Sequence, residues 1–310
     1  MIPLSQASGR IILVGDQRQL PHIYDEEIFQ ELKEEGKLEN EDDVTVSMFE
    51  HLWEKAKSLE KLDGIKRTVT LDQQFRMHPL LGDFISGNFY EVHDRSEGFS
   101  SPLPAENFRQ PVWSEPVRWD HIAAKYGNSH RTPSRSLVRD CEVTYIVKLL
   151  KKYLNNPEYN ALTFGVISFY RGQADRIKQL LQGNDYGSRL RIGTVDEFQG
   201  MEFDVIILST VRSGIDISGV DIDELYHNPA AEDKKKHDSF VENTGRRIYG
   251  FLTDNRLCVA LSRQKRLLII VGDADMYRGD AERIAEKCAP AMFNMYELCK
   301  AKKSVLNIKL

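Results

Sequence analysis

Short apolar runs recur through the second half of the chain: LTFGVIS at 162–168, LRIGTV at 190–195, FDVIILS at 203–209 and RLLIIV at 266–271. Such runs, rich in β-branched residues and bounded by polar turns, suit parallel strands buried on both faces. Helical spacing fills the gaps between them. Val143, Ile146, Val147 and Leu150 form one stripe of a helix from 139 to about 154, and RGQADRIKQLLQG predicts another with Gly183 as its stop signal. A helix is expected from 254 to about 264, and amphipathic helices near 281–288 and 291–302 close the chain. From residue 139 onward strands and helices alternate, which predicts an α/β fold with a doubly wound parallel sheet.

The first half is less regular. RIILV at 10–14 predicts a strand that runs into GDQRQLPHIYD, followed by a helix from 25 to about 35 and the acidic loop KLENEDD. Ser47 with Glu50 three residues on is a capping box for the next helix, whose Phe49, Leu52, Trp53 and Ala56 supply a buried face. RTVTLDQQFRMHPLLGDFISGNFY then predicts a strand, a turn, and a helix begun by Pro79. Residues 91–136 are proline-rich and aperiodic, so an irregular surface connection with at most a short strand or two is expected. Residues 213–250 read as a long polar, mobile insertion. Its KKKH at 234–237 and Arg246-Arg247 suit either a solvated loop or a phosphate-contacting flap.

Composition narrows the classes. The chain has 310 residues, 41% of them hydrophobic, and a formal net charge of −5, so no global basic field announces a nucleic-acid partner. A local basic groove remains open. No apolar run approaches a membrane span, the N-terminus is no secretory signal, and the expected location is cytoplasmic, or nuclear in a eukaryote. Cys141, Cys258, Cys288 and Cys299 are scattered without metal-ligand spacing, and no metal site is expected.

Candidate chemistry lies in the turns. Ligands of open α/β sheets bind beyond the carboxyl ends of strands, which directs attention to the loop from Thr194 to Glu202. There Asp196, Glu197, Gln199 and Glu202 crowd polar groups together, and Gly200 permits a turn or a close approach. Gln19 offers an amide that can donate to a phosphate oxygen and accept from a water. Phe75 is either core or a platform for a flat base, and Arg76 either a surface charge or an anion ligand.

Four blocks taken together resemble a known family: GDQRQLP at 15–21, QQFRMHP at 73–79, GTVDEFQGMEFDVIILSTVR at 193–212 and LTDNRLCVALSRQKRLLIIVGD at 252–273. In this order they resemble the C-terminal half of superfamily 1 helicases, in the branch of the nonsense-mediated-decay RNA helicase. The resemblance implies a pair of RecA-like, P-loop NTPase-type domains with ATP in the cleft between them and a single strand of RNA or DNA crossing both. It implies further that Gln19 is the motif III glutamine sensing the γ-phosphate, and that Phe75 stacks on adenine where tyrosine is common. Arg76 and Arg263 correspond to the arginines that reach the γ-phosphate, Glu202 to the acceptor of the ribose hydroxyls, and Gly200 to a point of close approach. Ser168 and Thr194 correspond to contacts on the phosphates of the single strand.

The resemblance also exposes a gap. The sequence contains no GxxxxGK[ST] phosphate loop. Asp196-Glu197 follows a strand as Mg2+ carboxylates do, yet falls inside the family's motif V. ATP and Mg2+ are the implied cofactors, with the Mg2+ ligands expected on a missing P-loop half, present in cis or in trans. The chain is accordingly expected to be a fragment, a truncated frame or half of a split protein: residues 1–70 the remnant of the first RecA-like domain, 71–303 the second, 304–310 a tail. A monomer without membrane contact is expected. The rival reading is a RecA-like nucleic-acid or protein binding module without catalysis.

Overall fold

The computed structural model describes residues 8–20, 46–110, 112–183, 186–214, 216–253 and 255–310. The chain forms two compact units, Met1–Thr70 and Leu71–Leu310. The helix expected at 25–35 and the acidic loop after it lie outside the described residues.

In the first unit, helix α1 (Met48–Asp63) begins where the sequence places it, with Ser47 Oγ accepting from Glu50 N at 3.1 Å. Its apolar face is only half-buried: Phe49, Leu52, Trp53 and Ala56 all keep partial exposure. Residues 10–14 form no strand, and Ile12 and Val14 are 80% and 87% exposed. An isolated apolar run gains strand structure only by pairing with a neighbour, and none pairs with it among the described residues. The strand expected at 67–72 is likewise absent; only a single bridge from Gln73 to Ser100, in the second unit, stands near it.

The second unit is built on six parallel strands: β1 (Val117–His121), β4 (Phe164–Ser168), β5 (Leu190–Thr194), β6 (Phe203–Ser209), β7 (Gln264–Gly272) and β8 (Val305–Asn307). They lie in the order β5-β4-β6-β7-β1-β8. Strands β2 (His130–Arg131) and β3 (Leu137–Val138) make a separate antiparallel hairpin. The helices are α2 (Pro79–Ile85), α3 (Asp140–Leu154), α4 (Arg171–Leu180), α5 (Ile222–Tyr226), α6 (Lys234–Tyr249), α7 (Arg256–Ala260), α8 (Glu282–Cys288) and α9 (Pro290–Ala301). Alternate residues of each central strand point to opposite faces. Val205, Ile207, Leu267 and Ile269 pack with Val143, Ile146 and Leu150 of α3 on one side, while Ile206, Leu208, Leu268 and Ile270 are equally buried on the other. This is a doubly wound, RecA-like α/β sheet, with its topological switch between β4 and β6.

Three segments depart from the expectation. VRWDH at 117–121 is one of the short strands allowed for 91–136, but it lies in the core between β7 and β8 and not on the surface, with Trp119 fully buried. Its charges hide this, because Arg118 and Asp120 satisfy each other through two hydrogen bonds of 2.7 and 2.8 Å. The polar insertion is largely helical: α6 starts at Lys234, so the KKKH cluster is its first turn, and Ile248 and Tyr249 anchor its far end in the core. Residues 305–307 of the expected tail form the edge strand β8.

Candidate nucleotide and nucleic-acid site

The turn after Asp72 is shaped by one side chain. Gln74 Oε1 accepts from the backbone N–H groups of Arg76 and Met77 at 2.9 and 2.7 Å, and Gln74 Nε2 donates to the Met77 carbonyl at 2.9 Å. The next residue, His78, donates its N–H to the carbonyl of Lys265 at 3.0 Å, which fastens the turn to β7. Held this way, the turn leaves Phe75 61% exposed and projects Arg76 along the sheet edge.

Glu202 and Arg263 immediately precede β6 and β7, so both stand at the amino ends of the strands. Arg76 joins them there. Its Nε lies 3.1 Å from Glu202 Oε2, and its Nη1 donates to the carbonyl of Ser262 at 3.3 Å. The other carboxylate oxygen, Glu202 Oε1, is 2.6 Å from Lys265 Nζ. The hydrogen bond from Lys265, more than that from Arg76, holds the Glu202 carboxyl below its ordinary range, so this acid is ionised at neutral pH.

Arg263 is not on a helix, as expected, but in the turn between α7 and β7, and it is only 3% exposed. Its Nε donates to the Val259 carbonyl at 3.1 Å and its Nη2 to Ser262 Oγ at 2.8 Å. Gly200 adopts φ +76°, a left-handed turn with nothing within 4 Å of where a Cβ would stand. Backbone conformation, and not crowding, accounts for glycine there. A cavity of about 600 Å3 lined by His78, Phe108, Trp113 and Arg266 neighbours this edge but does not include Arg76, Glu202 or Arg263.

The opposite edge holds the other candidates. Ser168 and Thr194 end β4 and β5 side by side. Ser168 is 1% exposed, and its Oγ accepts from Tyr170 N at 3.2 Å. Thr194 is engaged in a capping box with Glu197. Both residues are buried. The switch-point crevice between β4 and β6 is filled from within: Gln173 Nε2 donates to Ser209 Oγ at 2.9 Å, and Ser209 Oγ donates to Glu142 Oε2 at 2.6 Å. Glu142 Oε1 in turn accepts from Arg139 Nη1 at 3.0 Å, and both charged residues are fully buried. Burial pushes the Glu142 carboxyl up, and Arg139 opposes that.

The group that lines this carboxyl edge, with Phe251 exposed over a buried Tyr170, was missed in the sequence. Phe251 packs against Tyr170 with ring centroids 5.7 Å apart, and Arg212 Nε donates to the Tyr170 hydroxyl at 2.8 Å. The Arg256 guanidinium lies 5.4 Å from the Phe251 ring centroid and its Nε 3.4 Å from Asp196 Oδ1. Aromatic faces interleaved with arginines are the signature that was available, scattered across three segments of sequence. Asp196 and Glu197 are thus occupied by Arg256 and by the cap, which does not suit a Mg2+ ion. Among the described residues, His121, Asp273 and Asp275 group their ligand atoms within 4.8 Å, but Arg278 Nη2 lies 3.4 Å from His121 Nε2 and occupies a cation's place.

Gln19 belongs to the first unit, where its Nε2 donates to Asp16 Oδ2 at 2.7 Å. Within the second unit the fold therefore brings Phe75, Arg76, Glu202 and Arg263 to one edge, and Ser168 and Thr194 to the other. The first group sets an exposed ring, an ionised carboxylate and the partly exposed Arg76 guanidinium along one edge, with the Arg263 guanidinium buried beside them.

Comparison with known proteins agrees with this class. A family model described as an AAA domain matches residues 44–275. The chain is 28% identical over 283 residues to a Regulator of nonsense transcripts 1 homolog of Neurospora crassa, covering 88% of this chain and 21% of that protein. It is 28% identical over 283 residues to the ATP-dependent helicase upf1 of Schizosaccharomyces pombe, covering 88% and 25%, and 27% identical over 290 residues to the RNA helicase Mov10l1 of Mus musculus, covering 88% and 21%. The chain belongs to the AAA domain family, as a superfamily 1 helicase C-terminal half of the nonsense-mediated-decay branch. It spans about a quarter or less of the length of these relatives.

Proposed function

We propose that this chain is the second RecA-like half of an ATP-dependent helicase or translocase that moves on single-stranded RNA or DNA. The observation that carries the reading is the meeting of Arg76, Glu202 and the Arg263 turn at the amino edge of the sheet, although they are far apart in sequence. Phosphoryl transfer needs positive charge placed where the γ-phosphate oxygens gain negative charge, and one arginine finger is worth roughly 10³ to 10⁵ in rate. Arg76 and Arg263 take that role. Arg263 turns out of its buried position when a P-loop half, in cis or in trans, brings ATP and Mg2+ against this edge and the cleft closes. Gln19 contacts the attacking water, Phe75 stacks on the adenine, Gly200 supplies the turn that sets Glu202, and Glu202 accepts from the ribose. ATP would supply the phosphoanhydride, and Mg2+, held by a P-loop half, would offset its charge.

On the carboxyl edge the single strand runs over Phe251, Arg212 and Arg256, while Tyr170, Ser168 and Thr194 shape that edge from beneath. Contacts of this kind go to phosphates and base faces, which fits either nucleic acid. The isolated chain binds nucleotide weakly and hydrolyses little. A module without catalysis has no physical need for γ-phosphate and ribose groups on one edge. Combining the chain with a P-loop half and measuring nucleic-acid-stimulated ATP turnover tests the reading: Arg263→Ala lowers kcat on the order of 10³, and wild-type turnover in that variant contradicts it.

A further inference from the structure

We infer that Lys265 is a positioning residue that sets sugar specificity. It holds Glu202 turned toward the ribose after Arg76 has left for the phosphate. The inference rests on the reading of Glu202 as the ribose acceptor. Two cations share this carboxylate, Arg76 at Oε2 (3.1 Å) and Lys265 at Oε1 (2.6 Å). They differ in what carries them. Arg76 sits on a turn and has a second bond, 3.3 Å to the Ser262 carbonyl, within a segment that closure must rearrange. Lys265 sits on β7, its carbonyl fixed by His78 N at 3.0 Å.

The sheet itself is adapted at this point. Phe203 pairs with Gln264 but Val205 pairs with Leu267, so β7 carries one extra residue opposite Asp204. That irregularity fits Lys265 and Arg266 into the space of a single position. Arg266 takes Asp204 Oδ1 at 3.0 Å and Lys265 takes Glu202. Bulges of this kind re-aim side chains beside functional sites. Once Arg76 departs, Lys265 alone keeps Glu202 oriented, while the free lone pairs of the carboxylate accept from sugar hydroxyls. Without Lys265, the carboxylate is left to close on the Arg76 fork, which removes both groups from the nucleotide.

Isothermal titration of the chain combined with a P-loop half, with a non-hydrolysable ATP analogue and with its 2′-deoxy form, tests this. The wild type is expected to prefer the ribose form by about tenfold, the size of a hydrogen bond to an ionised group. Lys265→Gln brings the ratio of the two dissociation constants toward one, and Lys265→Arg keeps it. A Lys265→Gln chain that retains the full preference overturns the inference, including when both affinities fall together, since that is the mark of a merely structural role. Glu202→Ala separates the two levels of the argument. If Glu202→Ala keeps the preference, or if the wild type has none or binds neither nucleotide, the ribose reading itself fails. If Glu202→Ala loses the preference while Lys265→Gln retains it, only the role of Lys265 fails.

Discussion

Thr194 and Glu202 stand on opposite edges of one sheet although a single short loop joins them. Thr194 ends β5 and Glu202 precedes β6, and both strands run parallel to β4 between them. The connecting loop therefore crosses the whole sheet, about 16 Å for a five-residue strand. Nucleotide and nucleic acid contact opposite edges in the proposed function, so their effects separate. Phe251→Ala is expected to weaken binding of a labelled single-stranded oligonucleotide roughly tenfold, the scale of one stacked base. Nucleotide affinity stays near the wild-type value. Fluorescence anisotropy and nucleotide titration on the same preparation check both halves.

Arg76→Ala, in the chain combined with a P-loop half, lowers kcat by at least about 10²-fold and changes single-strand affinity little. Steady-state kinetics with an anisotropy titration decide this. Equal loss of both would indicate misfolding and would remove Arg76 from the proposed mechanism.

The buried pair Arg139 and Glu142 closes the switch-point crevice, so its cost is one of stability. Arg139→Met strands a carboxylate among apolar side chains and Ser209, and is expected to destabilise the chain by about 3–5 kcal/mol. Replacing Glu142 by Leu in the same chain restores part of that loss, because no uncompensated charge remains. Urea unfolding of the single and double variants measures the difference.

His121 makes stability depend on acid. Burial lowers its pKa below the ordinary 6.5 despite Asp275 and Asp273 nearby, and its Nδ1 accepts from Ala274 N at 2.9 Å. The unfolded chain therefore takes up this proton first. The contribution is fully present above pH 6.5 and is lost as pH falls through the depressed folded value. In His121→Asn, whose Oδ1 replaces the accepting nitrogen, melting temperature is expected to fall less than in the wild type between pH 7 and about 5.

Much of this was legible before any coordinates. Strands β4, β6 and β7 announce themselves because both faces are buried, so the sequence shows nearly continuous apolar runs. The charges of β1 conceal a core strand: Arg118 and Asp120 neutralise each other, and no periodicity rule sees a partner two residues away. Helix α6 was hidden by its lysine-rich start, since only its last turns reach the core. At the site, the residue types were readable from the four blocks, but the edge each occupies was not. Loop length alone does not say whether a connection stays at one edge or returns to the other. Lys265 was not legible in the sequence because its place depends on a strand irregularity and on a carboxylate distant in sequence.

Photo-crosslinking tests the central claim most directly. Irradiating the purified chain with 8-azido-ATP and mapping the modified peptides by mass spectrometry locates the base against one edge or the other. The account predicts labelling in the turn around Phe75 and Arg76, at the amino edge, competed by unmodified ATP. Competed labelling confined to the carboxyl edge, around Tyr170 and Arg212, would contradict it.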